Sequence, residues 1–189
     1  GVAVAFVLPS TYDSTATVAV NPMKADPLGA SADAARSVSM PTEVGTATSA
    51  KVAAAAAKEL DSDYSLSAKD VREATHVESP DDSLILDIRF SGSSAKQAAA
   101  GAQAVAKSYL SVRRADAQAQ IDRLKAATEQ QISAVQAQSV QPDFAGEVQQ
   151  RSITLQADAL GARLAELGGV DLTPGQVVGS AEVPDSPST

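Results

Sequence analysis

Residues 94–140 contain no proline and only one glycine, Gly101. Both residue types interrupt helices, proline because it lacks the amide hydrogen and glycine because it loses more backbone freedom on folding. The apolar residues in this stretch recur at intervals close to multiples of 3.5, as on one face of a helix. The pattern predicts one uninterrupted helix of roughly 67 Å at 1.5 Å per residue, much longer than a usual globular helix.

A second helix is predicted over residues 144–167. The sequence QPD at 141–143 is a stop signal, and Asp143 is a candidate N-cap for the new helix. Gly168 and Gly169 end it. Two apolar series recur every seven residues: Val148, Leu155 and Ala162, and Ile153, Leu160 and Leu167. Two heptad-patterned helices with a short break between them predict an antiparallel helical hairpin or coiled coil.

The remaining segments predict a small mixed base. Period-two alternation indicates a half-buried strand over residues 11–20, and "SLILDIRFS" indicates a second over 83–91. A third short strand is expected over 176–182. Ser49 and Ser67 are candidate N-caps of two short helices. Residues 23–48 are expected to form a loop with a short helix near 32–38, and "HVESPDD" an acidic turn. The predicted fold class is therefore α+β, a small base carrying a long helical hairpin.

The composition argues against several classes of function. The chain has 189 residues, a net charge of −8, no cysteine, no tryptophan and 3% aromatic residues. Without a basic patch the chain is poorly suited to the phosphate backbone of nucleic acids. The lack of cysteine excludes disulfides, thiolate metal sites and cysteine catalysis. Its abundant alanine favours closely packed helices over a core of large side chains.

Motifs that encode a reaction are also missing. The single histidine, His76, lies in a polar segment and is interpreted as a surface residue. There is no Walker-type loop, no G-x-G-x-x-G and no G-x-S-x-G. The acidic clusters "KELDSDY" and "ESPDD" lack the ordered spacing of a calcium-binding loop, so a solvated face is the preferred interpretation. We therefore expect no catalytic residue, no cofactor and no metal site.

Two neighbouring arginines on the long helix, Arg113 and Arg114, are candidates for recognition, because adjacent residues point to different faces of a helix. One could meet a partner helix and the other a neighbouring subunit or an anionic ligand; ordinary surface charge is the alternative. Ile121 and Leu124 on the same helix complete the set of candidate oligomer or partner contacts. Tyr64 and Tyr109 are expected to be packing residues.

The order of the elements resembles a known family. The strand "YDSTATVAV" and its closing "NP" precede "AKVAAAAAKEL", the strand "SLILDIRFS", and "SAKQAAAGAQAVAKSYLSVRRADAQAQIDRL". The chain closes with "VVGSAEVPDSPS". This order resembles the extracytoplasmic domain of the chain-length-determinant (Wzz-type) polysaccharide co-polymerases, which include Gram-positive capsule regulators. The most specific parts are "AVAKSYLSVR" and the final A-x-V-P-x-x-P-S.

The resemblance implies a membrane-anchored regulator without catalysis. Such proteins form rings and set the length of a polysaccharide made by a membrane polymerase; many Gram-positive relatives also activate a cytoplasmic tyrosine kinase. Residues 1–8 would then be the outer end of a transmembrane helix. Residues 9–183 would be one extracytoplasmic domain, with its base at 9–93 and 170–183 and its arm at 94–169. Residues 184–189 would lead to a second transmembrane helix.

Two other classes of function stay open. A periplasmic adaptor of an efflux or secretion system also joins a β-rich base to a helical hairpin, but it would normally carry a lipoyl-like half motif on each side of the hairpin. A ligand-sensing receptor ectodomain would be expected to line a pocket with aromatic or charged residues. An enzyme is the class that the sequence favours least.

Overall fold

The computed structural model describes residues 10–23, 38–139 and 146–188. Four strands form one antiparallel sheet in the order β2-β3-β1-β4. The strands are β1 (Tyr12–Val20), β2 (Thr75–Glu78), β3 (Ile85–Gly92) and β4 (Gly175–Gly179). In the central pair, Ala16 of β1 lies opposite Ile88 of β3. The α+β class expected from the sequence is confirmed.

Five helices accompany the sheet in the part of the chain that is described. They are α1 (Met40–Ala47), α2 (Ala50–Tyr64), α3 (Ala68–Ala74), α4 (Ala95–Ser139) and α5 (Glu147–Gly168). Both predicted caps are present, because the Ser49 hydroxyl accepts from the amide of Val52 and the Ser67 hydroxyl from that of Asp70. The long helix is continuous over 45 residues, as its composition predicted.

The chain divides into two compact units. The first contains the sheet, α1 to α3 and the first part of α4, through Arg114; the second contains α4 from Ala115 onward and α5. Alternate residues of β1 are buried on one face of the sheet, as the period-two pattern predicted. The core of the first unit joins that face to α2, α3 and α4, and its largest fully buried members are Tyr109, Phe90, Leu86, Ile88, Val18, Val52, Val71 and Val105.

Small residues let the first part of α4 approach β3 closely. A Cβ atom at Gly101 would lie 2.5 Å from Cγ of Phe90, and one at Gly92 would lie 2.7 Å from the backbone nitrogen of Ala98. Buried alanines, among them Ala98 and Ala102, lie on the same part of the helix. The alanine content noted in the sequence therefore supports close packing of this helix on the sheet.

The second unit shows the heptad pattern as burial. On α4, Ala117, Ile121 and Thr128 are buried and Leu124 is half-buried. On α5 the partly or fully buried residues follow spacings of four and three: Ile153, Ala157, Leu160, Leu164 and Leu167. The other heptad series of α5 faces solvent, with Val148 83% and Leu155 64% exposed. Each helix thus buries one stripe within this unit, as expected for a hairpin.

Two elements differ from the sequence expectations. "THVE" at 75–78 forms β2, where an acidic turn was expected, because Val77 pairs with Ile88 and is buried there. Residues 40–47 form α1 inside a segment expected to be a loop; Pro41 occupies a first-turn position and Glu43 is acidic in the first turn, which both favour a helix start. The expected helix near 32–38, the Asp143 cap and residues 1–8 lie outside the described residues, apart from Val38.

Candidate functional site

The adjacent arginines of α4 have different environments. The Arg113 side chain is 9% exposed, whereas Arg114 is exposed to solvent. The difference follows from the roughly 100° that separates consecutive residues around a helix. The candidate site of the first unit is therefore built around Arg113, and Arg114 remains the accessible member of the pair.

Arg113 binds the carboxylate of Glu43 with two nitrogens. Its Nη2 donates to Oε1 at 3.0 Å, and its Nε lies 3.1 Å from Oε1 and 3.0 Å from Oε2. The hydroxyl of Tyr109, one turn earlier on α4, donates to Oε2 of Glu43 at 2.7 Å. The planar guanidinium suits this fork-like pairing, for which lysine would be a poor substitute. α1 is thereby attached to α4 through one carboxylate.

The remaining contacts of Arg113 are with the backbone. Its Nη1 donates to the carbonyl oxygen of Asn21 at 2.9 Å and also to that of Pro174. The amide of Asn21 donates to the same Pro174 carbonyl at 3.1 Å. Asn21 follows β1 and Pro174 precedes β4, so one guanidinium contacts the chain at the ends of two paired strands as well as α1.

Burial determines the electrostatics of this cluster. The Glu43 side chain is 14% exposed and that of Arg113 is 9% exposed, so both charges are largely removed from water. Each charge is stabilised by its pairing with the other. Removing one member of such a pair costs about 3–5 kcal/mol. Burial also raises the pKa of the Tyr109 hydroxyl far above its ordinary value, and the hydrogen bond to Glu43 raises it further. Tyr109 therefore stays protonated and remains a donor.

Ile121 and Leu124 lie in the second unit. Ile121 is 2% exposed and Leu124 is half-buried, both on the buried stripe of α4. Their burial is explained by packing within this unit, in which α5 also lies. The role of Arg113, Arg114, Ile121 and Leu124 as oligomer or partner contacts stays a prediction.

His76 pairs with an acid on the outer side of the sheet. Its Nε2 lies 2.9 Å from Oε1 of Glu78, and both side chains are more than half exposed. The hydrogen bond from His76, followed by its charge, lowers the pKa of Glu78. The pair lies on an open strand face, consistent with the interpretation of His76 as a surface residue.

Within the described ranges, no group of three or more histidine, aspartate or glutamate side chains is arranged to hold a metal ion. None of the described helices combines the length and the apolar character needed to cross a bilayer. The tyrosines occupy packing positions, as expected: Tyr109 is fully buried, and Tyr64 is half-buried against the core.

The two ends of the described fold are paired with each other. Thr11 and Ser188 form an isolated antiparallel bridge, in which the amide of Ser188 donates to the carbonyl of Thr11 at 2.7 Å. The amide of Asp13 donates to the hydroxyl of Ser188 at 3.0 Å, and the Ser14 hydroxyl donates to the carbonyl of Glu182. The segment that enters β1 and the segment that follows β4 are therefore held side by side.

Sequence reasoning identified Arg113 but missed its partners. Glu43 lies in "MPTEVGTA", where a proline and an acidic residue in the first turn mark a helix start. That signal could have predicted α1, but not its attachment to α4. The carbonyls of Asn21 and Pro174 carry no side-chain signal, so only the fold reveals them.

No family model matches this chain, and no curated protein matches it. Solved structures do resemble it. They include a full-length bacterial polysaccharide co-polymerase, at 13% identity over 97% of this chain and 79% of that one, with a TM-score of 0.45. A fragment of the polysaccharide co-polymerase WzzB from Salmonella Typhimurium matches at 15% identity over 95% and 99%, with a TM-score of 0.46.

A variant of the lipopolysaccharide O-antigen chain-length regulator WzzB from Shigella flexneri matches at 14% identity, over 94% of this chain and 100% of that one, with a TM-score of 0.44. These neighbours are Wzz-type co-polymerases and chain-length regulators, the family that the sequence resembles.

Proposed function

We propose that this chain is the extracytoplasmic domain of a membrane-anchored, non-enzymatic regulator that sets the length of a surface polysaccharide. The proposal starts from the order of elements on which the family resemblance rests. That order recurs in the structure as β1, α2, β3, the long α4, α5 and the closing β4. Regulation without catalysis requires a scaffold that other molecules contact, and a chain with these long helices suits that role.

The pairing of the two ends is the observation that carries the proposal. Because Thr11 and Ser188 are bridged, the two ends of the described fold lie at one place on the sheet. Two chain segments that leave together can enter the same membrane without crossing the domain. In the proposal, residues 1–8 are the outer end of one transmembrane helix and residues 184–189 lead to another, so that the base, residues 9–93 and 170–183, is the part nearest the membrane.

In the proposal, the arm, residues 94–169, is the part that meets other molecules. Membrane anchoring raises the effective concentration of neighbouring copies, so weak contacts between them are sufficient for a homo-oligomer. Arg114 is exposed and free to take part in such a contact, or in one with the polymerase or the growing polysaccharide. Activation of a cytoplasmic tyrosine kinase through the membrane helices is a further part of the proposal.

The experiment that tests the function is a deletion of this gene in its source bacterium, followed by restoration. The size distribution of the surface polysaccharide is measured by gel electrophoresis in each strain. Loss of long chains, or a shift in modal length that restoration reverses, supports the proposal. An unchanged distribution together with altered export of drugs or proteins contradicts it and favours the adaptor class.

Restoration with point variants tests the contact residues. Arg114→Ala removes one exposed charge of α4, and Arg123→Ala removes another from the same helix as a matched control. We expect a shift in modal length with Arg114→Ala alone, at equal protein amounts. If the two variants shift the modal length equally, or if neither shifts it, Arg114 is not a specific contact residue. The deletion experiment would still test the function in that case.

A further inference from the structure

The polypeptide passes between the two compact units four times. The passages follow Pro22, precede Val38, follow Arg114 and precede Pro174. Arg113 lies at one passage, and its Nη1 contacts the carbonyl of Asn21 beside another and that of Pro174 at a third. One residue of the first unit therefore lies at one of these four passages and contacts the backbone at two others.

α1 depends on the same side chain. It has eight residues, far fewer than a helix needs to be stable alone, and its N-cap Ser39 makes no capping hydrogen bond. Ala47 is its only fully buried residue. The buried Glu43 carboxylate, held by Arg113 and Tyr109, is the polar attachment of this helix among its described contacts.

The two sets of contacts share one rigid group. The guanidinium is planar, so the direction in which Nη1 points is fixed once Nε and Nη2 bind the carboxylate. Loss of the carboxylate would free the guanidinium to rotate and would weaken its bonds to both carbonyls. The contact between Asn21 and Pro174 would lose support, although Glu43 touches neither residue.

We propose that Arg113 is a joint that couples α1 to the ends of β1 and β4, so that these parts of the first unit open together as one local unit. The joint is distinct from chain-length control and does not depend on it. Arg113 acts here as a positioning residue, through Glu43 on one side and through the two carbonyls on the other. Local opening of this kind occurs in proteins at free energies below that of global unfolding.

The test is amide hydrogen exchange measured residue by residue by NMR on the whole chain, with Glu43→Gln compared with the parent protein. We expect exchange to become about tenfold faster or more at the α1 amides and also at the amide of Asn21, since buried charges depend strongly on their partners. Amides of the central strand β3, from Asp87 to Phe90, should exchange at their original rates.

Glu59→Gln is the matched control. It also removes one carboxylate that is paired with a basic residue of α4, but the Lys107–Glu59 pair is about half exposed. We expect no change at Asn21 from this variant. If Glu43→Gln does not fold, Tyr109→Phe removes one donor to the same carboxylate and should accelerate the same amides by a smaller factor.

Two results would contradict the proposal that Arg113 couples these parts. In the first, the α1 amides exchange faster while Asn21 keeps its original rate, which would make Glu43 a local anchor only. In the second, the β3 amides accelerate by the same factor as those of α1 and Asn21, which would mean that the whole unit unfolds together.

Discussion

Gly101 of α4 lies directly against the ring of Phe90 on β3. A Cβ atom at residue 101 would be 2.5 Å from Cγ of that ring and closer still to Cδ1 and Cε1. Phe90 is 1% exposed, so its ring is enclosed on all sides. The separation between helix and sheet at this point is set by the absence of one methyl group.

Gly101→Ala should therefore destabilise the first unit. In an exposed helix the same change stabilises by about 1 kcal/mol, because alanine is the better helix former. Here overpacking against the enclosed ring costs typically 1–3 kcal/mol, so we expect a net loss. Chemical denaturation followed by circular dichroism measures the change in the free energy of unfolding.

Gly161→Ala on α5 is the matched control, since a Cβ atom there would meet nothing within 4 Å. It should stabilise by up to about 1 kcal/mol. A stabilising Gly101→Ala would show that the helix can move away from the sheet. In that event the close approach at Phe90 would not be a constraint on the sequence.

Ser65→Gly should stabilise the protein. Ser65 follows α2 with a φ of 49°, in the left-handed region where a side chain is strained and glycine is not. The residue is exposed, so little packing is lost by the change. We expect a gain of about 0.5–1 kcal/mol in the free energy of unfolding, and a decrease would show that the hydroxyl contributes more than the strain costs.

Ser67→Ala should lower the melting temperature, by an amount that depends on pH. The Ser67 hydroxyl and backbone amide both donate to the Asp70 carboxylate, which lowers the pKa of Asp70 from its ordinary value of 3.8. A carboxylate whose pKa is lowered in the folded state stabilises the fold at pH values above its ordinary pKa. This contribution is lost as the pH falls through the lowered pKa. The difference in melting temperature between Ser67→Ala and the parent should be largest near neutral pH and should become smaller in acid.

Melting curves recorded across a pH series measure that difference directly. Asp70→Asn keeps the shape of the side chain without its charge. Its melting temperature should therefore fall less than that of the parent as the pH is lowered. A difference between Ser67→Ala and the parent that stays constant from neutral pH to below 3.8 would contradict the role of the Asp70 charge in this cap.

Ile121→Glu should separate the helices of the second unit. It places a charge at a position that is 2% exposed, which costs several kcal/mol when no partner is present. Helicity by circular dichroism and the melting temperature should both fall. Leu155→Glu, at a position 64% exposed, should change stability by less than about 0.5 kcal/mol. Unchanged helicity and melting in Ile121→Glu would contradict the hairpin.

Much of the fold could be predicted from local sequence signals. α4 was predictable because no residue inside it breaks a helix, and β1 because its side chains alternate. β2 was not, since its four residues become a strand only by pairing with β3. The two strands are neighbours along the chain, but four residues are too few to show an alternating pattern of their own.

The candidate site was predictable only in part. Arg113 was singled out because it neighbours a second arginine, but its environment depends on where Glu43, Asn21 and Pro174 come together in space. Two of those partners contribute only backbone carbonyls, which every residue type carries. No sequence pattern indicates which backbone carbonyl will accept a hydrogen bond from an arginine side chain.

The bridge between Thr11 and Ser188 has a mechanical consequence. Tension that pulls the two ends of the domain apart would act first on the bridge and then on the adjoining bonds of β1 and β4, which would break one after another. Strands opened in sequence resist less force than strands sheared along their length. If the two ends are anchored in a membrane as proposed, lateral movement of the anchors would therefore act first on this edge of the sheet.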